Sequence, residues 1–284
     1  MGCCMNAGNS GSLSARDHRK VAQFIEQAVG IQLPEHKRSL IEARLRKRLK
    51  ETRYTNVSDY IDYVLSEEGA VTEQPRLIDA ITTNKTAFFR EPAHFQVLSH
   101  WIIEQREAGK SRFKLWSAAC STGEEPYTLA MVMAELHGQS GSLNFDVLAT
   151  DISETVLQKA AGATYSAESI EPIPLPLREN YLLRSLKRTP PLYRVTKELR
   201  ERVRFGRFNL ISGSYPGKPN FDVIFCRNVM IYFSADDRAR VIRQLHSALK
   251  PGGLLFIGHS ESIGPVHPGF ETVAPTVYRR SDGG

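Results

Sequence analysis

From residue 113 to 258 the chain alternates short apolar runs with stretches of helical spacing, and few folds accommodate that order. Residues 113–118, 145–149, 221–226 and 254–258 read as strands; 127–136, 154–161 and 235–249 read as helices. Strands that recur with helices between them pair in parallel through right-handed crossovers. The predicted fold class is therefore α/β, a doubly wound, mostly parallel sheet. Ser234 and Asp237 make a capping box at the start of the last of these helices, and Lys250-Pro251-Gly252-Gly253 stops it. Residues 271–279 add a candidate antiparallel strand.

Before residue 84 the spacing is helical. Val21, Phe24, Ile25 and Ala28 share one face of a predicted helix over 17–29, ended by Gly30. Pro34 precedes a second over 35–52, with Ile41, Leu45 and Leu49 as its apolar stripe. Residues 58–65 and 74–82 continue the pattern, and 92–106 form the helix ahead of the first strand. Between 162 and 203 the alternation lapses at Pro172, Pro174, Pro176, Pro190 and Pro191, with 192–195 one short strand. A piece this long is an inserted subdomain rather than a loop. The expected division is a flexible tail over 1–14, an all-helical domain over 15–82, and a sheet domain over 83–284 with a small β-subdomain inserted near 163–204.

Hydrophobic residues make up 41% of the 284 and charged residues 24%, the balance of a core-forming chain. No apolar stretch approaches the roughly 20 residues that cross a bilayer. The first residues, MGCCMNAGNSGSLSAR, lack the basic start and apolar segment of a secretory signal, and Asn6 stands where a myristoylation site has Ser or Thr. Cys3, Cys4, Cys120 and Cys226 are too few and scattered for a disulfide scaffold. Without a CxxC pair or Cys/His cluster, no metal is expected. A cytoplasmic location follows. The net charge of +6 is local: 11 Lys or Arg face 5 Asp or Glu between Arg16 and Arg53, leaving 26 of each sign elsewhere. That segment alone calls for an acidic partner.

Five stretches carry candidate chemistry. FDVIFCRNVMIYF (221–233) is a buried strand that stops at Cys226, Arg227 and Asn228, with Tyr232 close behind, where open α/β sheets bind ligands. WSAACSTGEEPYT (116–128) lacks the glycines of a dinucleotide fingerprint but offers a small-residue turn, with Glu125 either meeting a ligand or closing a capping box with Thr122. Asp151 ends the second strand, placed to bind ribose hydroxyls or to cap the next helix. TTNKTAFFREP (82–92) joins the two halves, with Phe88 and Phe89 as buried anchors and Arg90 held beside them or solvated. GHSES (258–262) falls short of a nucleophile elbow: the final glycine is missing, and no acid completes a triad with His267.

TTNKTAFFRE, WSAACSTGEEPY, ATDIS, FNL (208–210), FCRNVMIYF and LKPGG…GHSES together resemble, in order and spacing, the CheR family of chemotaxis receptor methyltransferases, over residues 17–279. The resemblance implies an S-adenosylmethionine-dependent, Rossmann-like methyltransferase domain behind a helical domain. It implies methylation of glutamate side-chain carboxylates on the cytoplasmic helices of chemoreceptors, giving glutamyl methyl esters and S-adenosylhomocysteine, at membrane receptor arrays. Cofactor contacts fall on Asn84, Thr86, Arg90, Glu125, Asp151, Asn209, Leu210, Cys226, Arg227 and Asn228, with Arg90 and Tyr232 nearest the transferred methyl. Some members grip a peptide at the receptor's C-terminal tail through a glycine-rich turn. The matching LLRSLKRTPPLYRV (182–195) has no glycine, so direct docking on receptor helices is expected instead.

These residue types suit such a reaction. A glutamate carboxylate is ionised at neutral pH, so it needs no general base. Alignment then carries the work, up to about 7–11 kcal/mol in favourable cases. Arg90 is expected to orient rather than clamp the acceptor, since tight ground-state pairing slows reaction. Arg44, Arg46, Lys47, Arg48, Lys50 and Arg53 either seat the enzyme on acidic receptor helices or form a solvated face. A nucleic-acid substrate is not expected, because the positive charge is confined to one segment without interleaved aromatics. A cofactor-sensing module without turnover would have no use for Arg90, Asn228 and Tyr232 together.

Overall fold

The computed structural model describes residues 12–140, 143–264 and 269–281. The expected tail through residue 11, with Cys3, Cys4 and Asn6, lies outside them, as does His267. The chain divides into two compact units at Thr83/Asn84. Among the described residues no helix is long and apolar enough to cross a membrane.

The first unit is all helical: α1 (Ala15–Val29), α2 (Arg38–Leu49), α3 (Val57–Val64), α4 (Glu67–Thr72) and α5 (Gln74–Ile81). Ser14 opens α1 by accepting the Asp17 N–H at 3.0 Å, and Gly30 closes it in the left-handed region at φ 74°. The predicted helix over 35–52 is shorter than expected. Residues Glu35–Lys37 form a separate 3₁₀ turn after Pro34, and the helix ends at Leu49. Its stripe of Ile41, Leu45 and Leu49 is buried with Val21, Ile25, Ile61 and Leu77. The sequence pattern missed α4, whose Val71 is exposed and whose identity rests on the Ser66 cap over the Gly69 N–H.

Two of the basic residues on α2 are committed to this unit. The Arg48 guanidinium, 11% exposed, holds Glu73, 8% exposed, through two nitrogens at 2.8 and 3.2 Å, and the Tyr60 hydroxyl donates to the same carboxylate at 3.1 Å. Arg44 donates to the carbonyls of Ile81 and Thr82 and to Thr83 Oγ1. Arg46 pairs with Glu42 on the helix surface, while Lys47, Lys50 and Arg53 are exposed.

The second unit contains α6 (Ala93–Glu107), β1 (Arg112–Ser117), α7 (Glu124–Ser140), β2 (Asn144–Asp151), α8 (Glu154–Gly162), β3 (Thr164–Ser166), α9 (Leu175–Tyr181), β4 (Leu182–Arg184), β5 (Leu192–Val195), α10 (Lys197–Arg200), β6 (Val203–Arg207), β7 (Phe221–Cys226), α11 (Ala235–Ala248), β8 (Leu249–Ile257), β9 (Phe270–Ala274) and β10 (Val277–Arg280). The main sheet runs β6-β2-β1-β7-β8-β10-β9. Its first five strands pair in parallel, and β10 runs antiparallel to both β8 and β9. This is the α/β, doubly wound architecture expected, with an all-helical unit before it and a small antiparallel sheet, β3-β5-β4, between α8 and β6.

Three elements differ from expectation. The predicted strand over 271–279 is a hairpin of two, turning at Thr276 with φ 60°. Strand β8 begins at Leu249, so Lys250–Gly253 belongs to it, with a shift in pairing between Phe221 and Val223. Strand β6 was not read at all. All six residues of β7 are buried, and Phe225 stacks on Phe256 at 4.3 Å and on Phe95 at 5.7 Å. Burial of each such ring contributes about 2–3 kcal/mol.

In the helical unit, burial alone would raise the Glu73 carboxyl. The hydrogen bonds from Arg48, Arg76 and Tyr60 outweigh it, leaving Glu73 below its ordinary value of 4.5. A depressed folded-state value stabilises above the unfolded one, so this contribution is complete above about pH 5 and fades as pH falls below 4.5. Glu73→Gln leaves Arg48 with only the exposed Glu51 carboxylate as ionic partner and is expected to cost about 3 kcal/mol, measured by urea unfolding at pH 7. The deficit relative to wild type should shrink towards pH 3.

Candidate active site

The chain order along the sheet reverses at β1, which lies between β2 and β7. Such a reversal opens a crevice beyond the strands' carboxyl ends, and the predicted site residues of the second unit gather around the loops there.

At the ends of β1 and β2, Asp151 is buried and accepts the N–H groups of Ser121 at 2.9 Å and Ser153 at 3.0 Å. The helix cap that Asp151 might have made belongs to Ser153, which accepts from Val156 N at 3.3 Å. Ser121 is left-handed at φ 48°, and its hydroxyl donates to the Asn84 carbonyl at 2.9 Å. The segment before α6 is thereby tied to the turn after β1. Thr86 is half-buried nearby in sequence. Thr122 does not close a capping box with Glu125; its hydroxyl donates to Glu124 at 2.6 Å.

Glu125 is instead one of two carboxylates on a buried cation. Arg227, its side chain 2% exposed, reaches Glu125 Oε2 at 3.2 Å through Nη1, and Glu91 Oε2 at 2.9 Å and the Arg90 carbonyl at 2.5 Å through Nη2. Phe95 and Phe225 lie 5.8 and 5.7 Å from the guanidinium. Glu125 also accepts from Ser117 Oγ at 2.7 Å. Burial pushes the Glu125 carboxyl up, against the pull of Arg227 and Ser117. For Glu91, burial is outweighed by Arg227 and by hydrogen bonds from Asn228, Arg227 and the His259 N–H, and its carboxyl lies below the usual range. Burial and the Arg227 charge hold His94 down to about 4, so it is neutral at pH 7. Glu91, His94 and His259 have metal-ligand spacing, but the cation that Glu91 meets here is Arg227.

Arg90 sits between two left-handed residues, Phe89 (φ 51°) and Glu91 (φ 58°). Its side chain is half-buried and donates to the Lys85 carbonyl at 2.9 Å. Phe88 is buried against Tyr165 at 4.8 Å as expected, whereas Phe89 is only half-buried, its N–H donating to Thr128 Oγ1.

After β7, Cys226 is fully buried, and burial pushes its thiol well above the usual value; Cys120 behaves alike. Both thiols are closed off from solvent. Asn228 is left-handed at φ 58° and donates through Nδ2 to Glu91 Oε1 at 3.2 Å. A 3₁₀ turn over Met230–Tyr232 follows, with Tyr232 half-buried. After β6, Phe208 N–H donates to the Asp151 carbonyl at 2.9 Å, Asn209 Oδ1 accepts from Ile211 N at 2.9 Å, and Leu210 is buried.

Sequence reasoning overlooked two residues. One is Glu91, adjacent to the chosen Arg90. The other is Glu261, the acid of GHSES. Its buried carboxylate accepts the N–H groups of Asn228 (2.8 Å) and Gly258 (2.6 Å) on Oε2, and of Val229 (3.0 Å), Met230 (2.7 Å) and Ile231 (3.3 Å) on Oε1. Burial pushes Glu261 up, opposed by those N–H groups. The only available signal was an acid four residues beyond the last parallel strand.

Gly258 allows this approach. A Cβ there would collide with the Asn228 side-chain amide and lie 2.9 Å from the Asn228 backbone nitrogen. Gly258→Ala is therefore expected to displace Asn228 and, with Asn228 at the cofactor as the resemblance implies, to weaken S-adenosylhomocysteine binding about tenfold. Calorimetry measures it; unchanged affinity would show that Asn228 and its neighbours are not at the cofactor.

A family model described as "CheR methyltransferase, SAM binding domain" matches residues 84–279, and one described as "CheR methyltransferase, all-alpha domain" matches 16–82. The chain is 38% identical over 268 residues to a chemotaxis protein methyltransferase of Klebsiella aerogenes, covering 94% of this chain and 90% of that protein. It is 37% identical over 270 residues to that of Escherichia coli, covering 95% and 92%. With that of Borreliella burgdorferi it shares 36% over 271 residues, covering 92% and 93%. Both units of the fold are thus accounted for, and the chain belongs to the CheR family of S-adenosylmethionine-dependent methyltransferases.

Proposed function

We propose that the protein methylates glutamate side-chain carboxylates on the cytoplasmic helices of chemoreceptors. The observation that carries this is the convergence of Arg90, Asp151 and the Asn228–Tyr232 turn on one crevice that offers alignment, while the buried Ser117 and Ser121 hydroxyls there donate to Glu125 and to the Asn84 carbonyl. Both thiols there are neutral and buried, which suits an acceptor that arrives already ionised.

The residues fit the cofactor's chemistry. Asp151, fixed by two backbone N–H groups at the end of β2, places a carboxylate where doubly wound sheets meet ribose hydroxyls. Asn84, Thr86, Asn209, Leu210, Cys226, Arg227 and Asn228 complete the proposed contacts, Cys226 through its backbone. Arg227 and Glu125 contribute by fixing each other and the Arg90 carbonyl. S-adenosylmethionine supplies an electrophilic methyl group. Arg90 orients the incoming carboxylate, and Tyr232 directs its hydroxyl towards the reacting atoms. Arg46, Lys47, Lys50 and Arg53 seat the acidic receptor helices, while Arg44 and Arg48 add field without being available for contact. Docking is direct, in the cytoplasm at receptor arrays, with neither a C-terminal peptide tether nor nucleic acid involved.

Incubation with radiolabelled S-adenosylmethionine and receptor-bearing membranes should give label that mild alkali releases as methanol; alkali-stable label would refute the ester. Arg90→Ala is expected to lower turnover about 100-fold while S-adenosylhomocysteine affinity stays within about threefold. Raising salt from about 0.05 to 0.3 M should raise the receptor KM several-fold and leave cofactor affinity nearly unchanged. A salt-independent KM would remove the basic helix from docking.

A further inference from the structure

We infer that Glu261 is a positioning residue for methyl transfer: its carboxylate fixes the backbone of the turn that presents Asn228 and Tyr232. The inference rests on the transfer reaction proposed above.

The turn after β7 is anchored by the buried side chains of Met230 and Phe233 and by its own bonds from the Tyr232 and Phe233 N–H groups, but these leave the Asn228 to Ile231 N–H groups to be fixed. Asn228 is left-handed, Val229 lies outside regular structure at φ −120° and ψ −39°, and the 3₁₀ turn that follows spans three residues. Ile231 is 43% exposed, so apolar packing does not anchor that position. Four successive N–H groups, those of Asn228, Val229, Met230 and Ile231, point to one buried carboxylate, and Gly258 supplies a fifth. Buried donors without acceptors are costly, so conformations that turn these groups away are excluded.

Glu261 reaches them because β7 and β8 are neighbouring parallel strands and their carboxyl ends lie side by side. The Glu261 N–H is itself fixed on the Gly258 carbonyl at 2.9 Å. Asn228 is then held twice, its backbone by Glu261 and its side chain by Glu91, which Arg227 holds in turn. Tyr232 lies one residue beyond the last clamped N–H, where a loosened turn would displace it most.

Glu261→Gln keeps the shape but replaces one acceptor oxygen by an NH2 group facing at least two N–H donors. Turnover is expected to fall about 30- to 100-fold, with receptor KM within about threefold and S-adenosylhomocysteine affinity within about fivefold. In amide NMR spectra, the Asn228, Val229, Met230 and Ile231 resonances should move upfield together, which a merely structural defect elsewhere would not produce. Ser260→Ala, one residue away on the exposed side, should retain wild-type turnover. A folded Glu261→Gln with wild-type turnover would overturn the proposal. Should that variant not fold, hydrogen exchange on the wild-type enzyme decides. Protection of the Val229 and Ile231 amides on the order of 100-fold supports the clamp; exchange at the rate of open loops refutes it. Failure of the wild-type enzyme to form any base-labile ester would sink the reaction assignment and leave the exchange result standing.

Discussion

One guanidinium, buried between two carboxylates, ties together pieces that no regular element connects. Arg227 comes from the end of β7, Glu125 from the start of α7, and Glu91 from the segment before α6. Its third bond, to the Arg90 carbonyl, holds the backbone of the residue proposed to orient the acceptor. Placing such a cation in the interior is costly unless its partners are complete. Here two acids, a carbonyl and two aromatic rings meet it, and Nε alone has no hydrogen bond. One group thus restrains three segments relative to each other, which is the property an alignment-driven reaction requires.

The same logic recurs around the crevice. Phe89, Glu91, Ser121 and Asn228 are non-glycine residues in the left-handed region, each at a cost of about 1–3 kcal/mol. Three have a buried carboxylate or its partner holding them. Asp151 takes the Ser121 N–H, Arg227 holds the Glu91 side chain, and Glu261 takes the Asn228 N–H. Phe89 is held by Thr128. The loops are therefore strained locally and secured by side chains from neighbouring strands. The parallel sheet matters chiefly because it brings those strand ends within reach of each other.

How much of this was visible beforehand follows from which signals are local. Strand β7 was read to the residue because both its faces are buried, leaving an uninterrupted apolar run. Strand β6 was missed because VRFGR lies at the sheet edge, alternates charged with apolar residues and carries Gly206. Asp151 could be singled out because its position, at the end of the second strand, is a topological rule. Glu261 could not, since its role depends on β7 and β8 being neighbours, which spacing along the chain does not reveal. The inward turn of Arg48 and Arg227 was hidden for the same reason: both looked like ligand-facing cations, and their partners Glu73 and Glu91 gave no pattern. Families of residues that serve a ligand and those that serve the loops around it are written in the same letters.

By charge count alone, an acid-rich crevice is a poor host for an acidic acceptor. Asp151, Glu91, Glu125 and Glu261 all surround it, yet each is matched: Asp151 and Glu261 by backbone N–H groups, Glu91 and Glu125 by Arg227. Their fields are spent on fixed internal dipoles, so an incoming carboxylate meets a polar wall rather than four open charges. Arg90, tied to the Lys85 carbonyl rather than to a carboxylate, then becomes the cation with charge to spare at the crevice. In the proposed reaction that division of labour is what allows one substrate charge to enter while the acids continue to hold the loops, and it places the burden of acceptor recognition on a residue whose backbone Arg227 fixes.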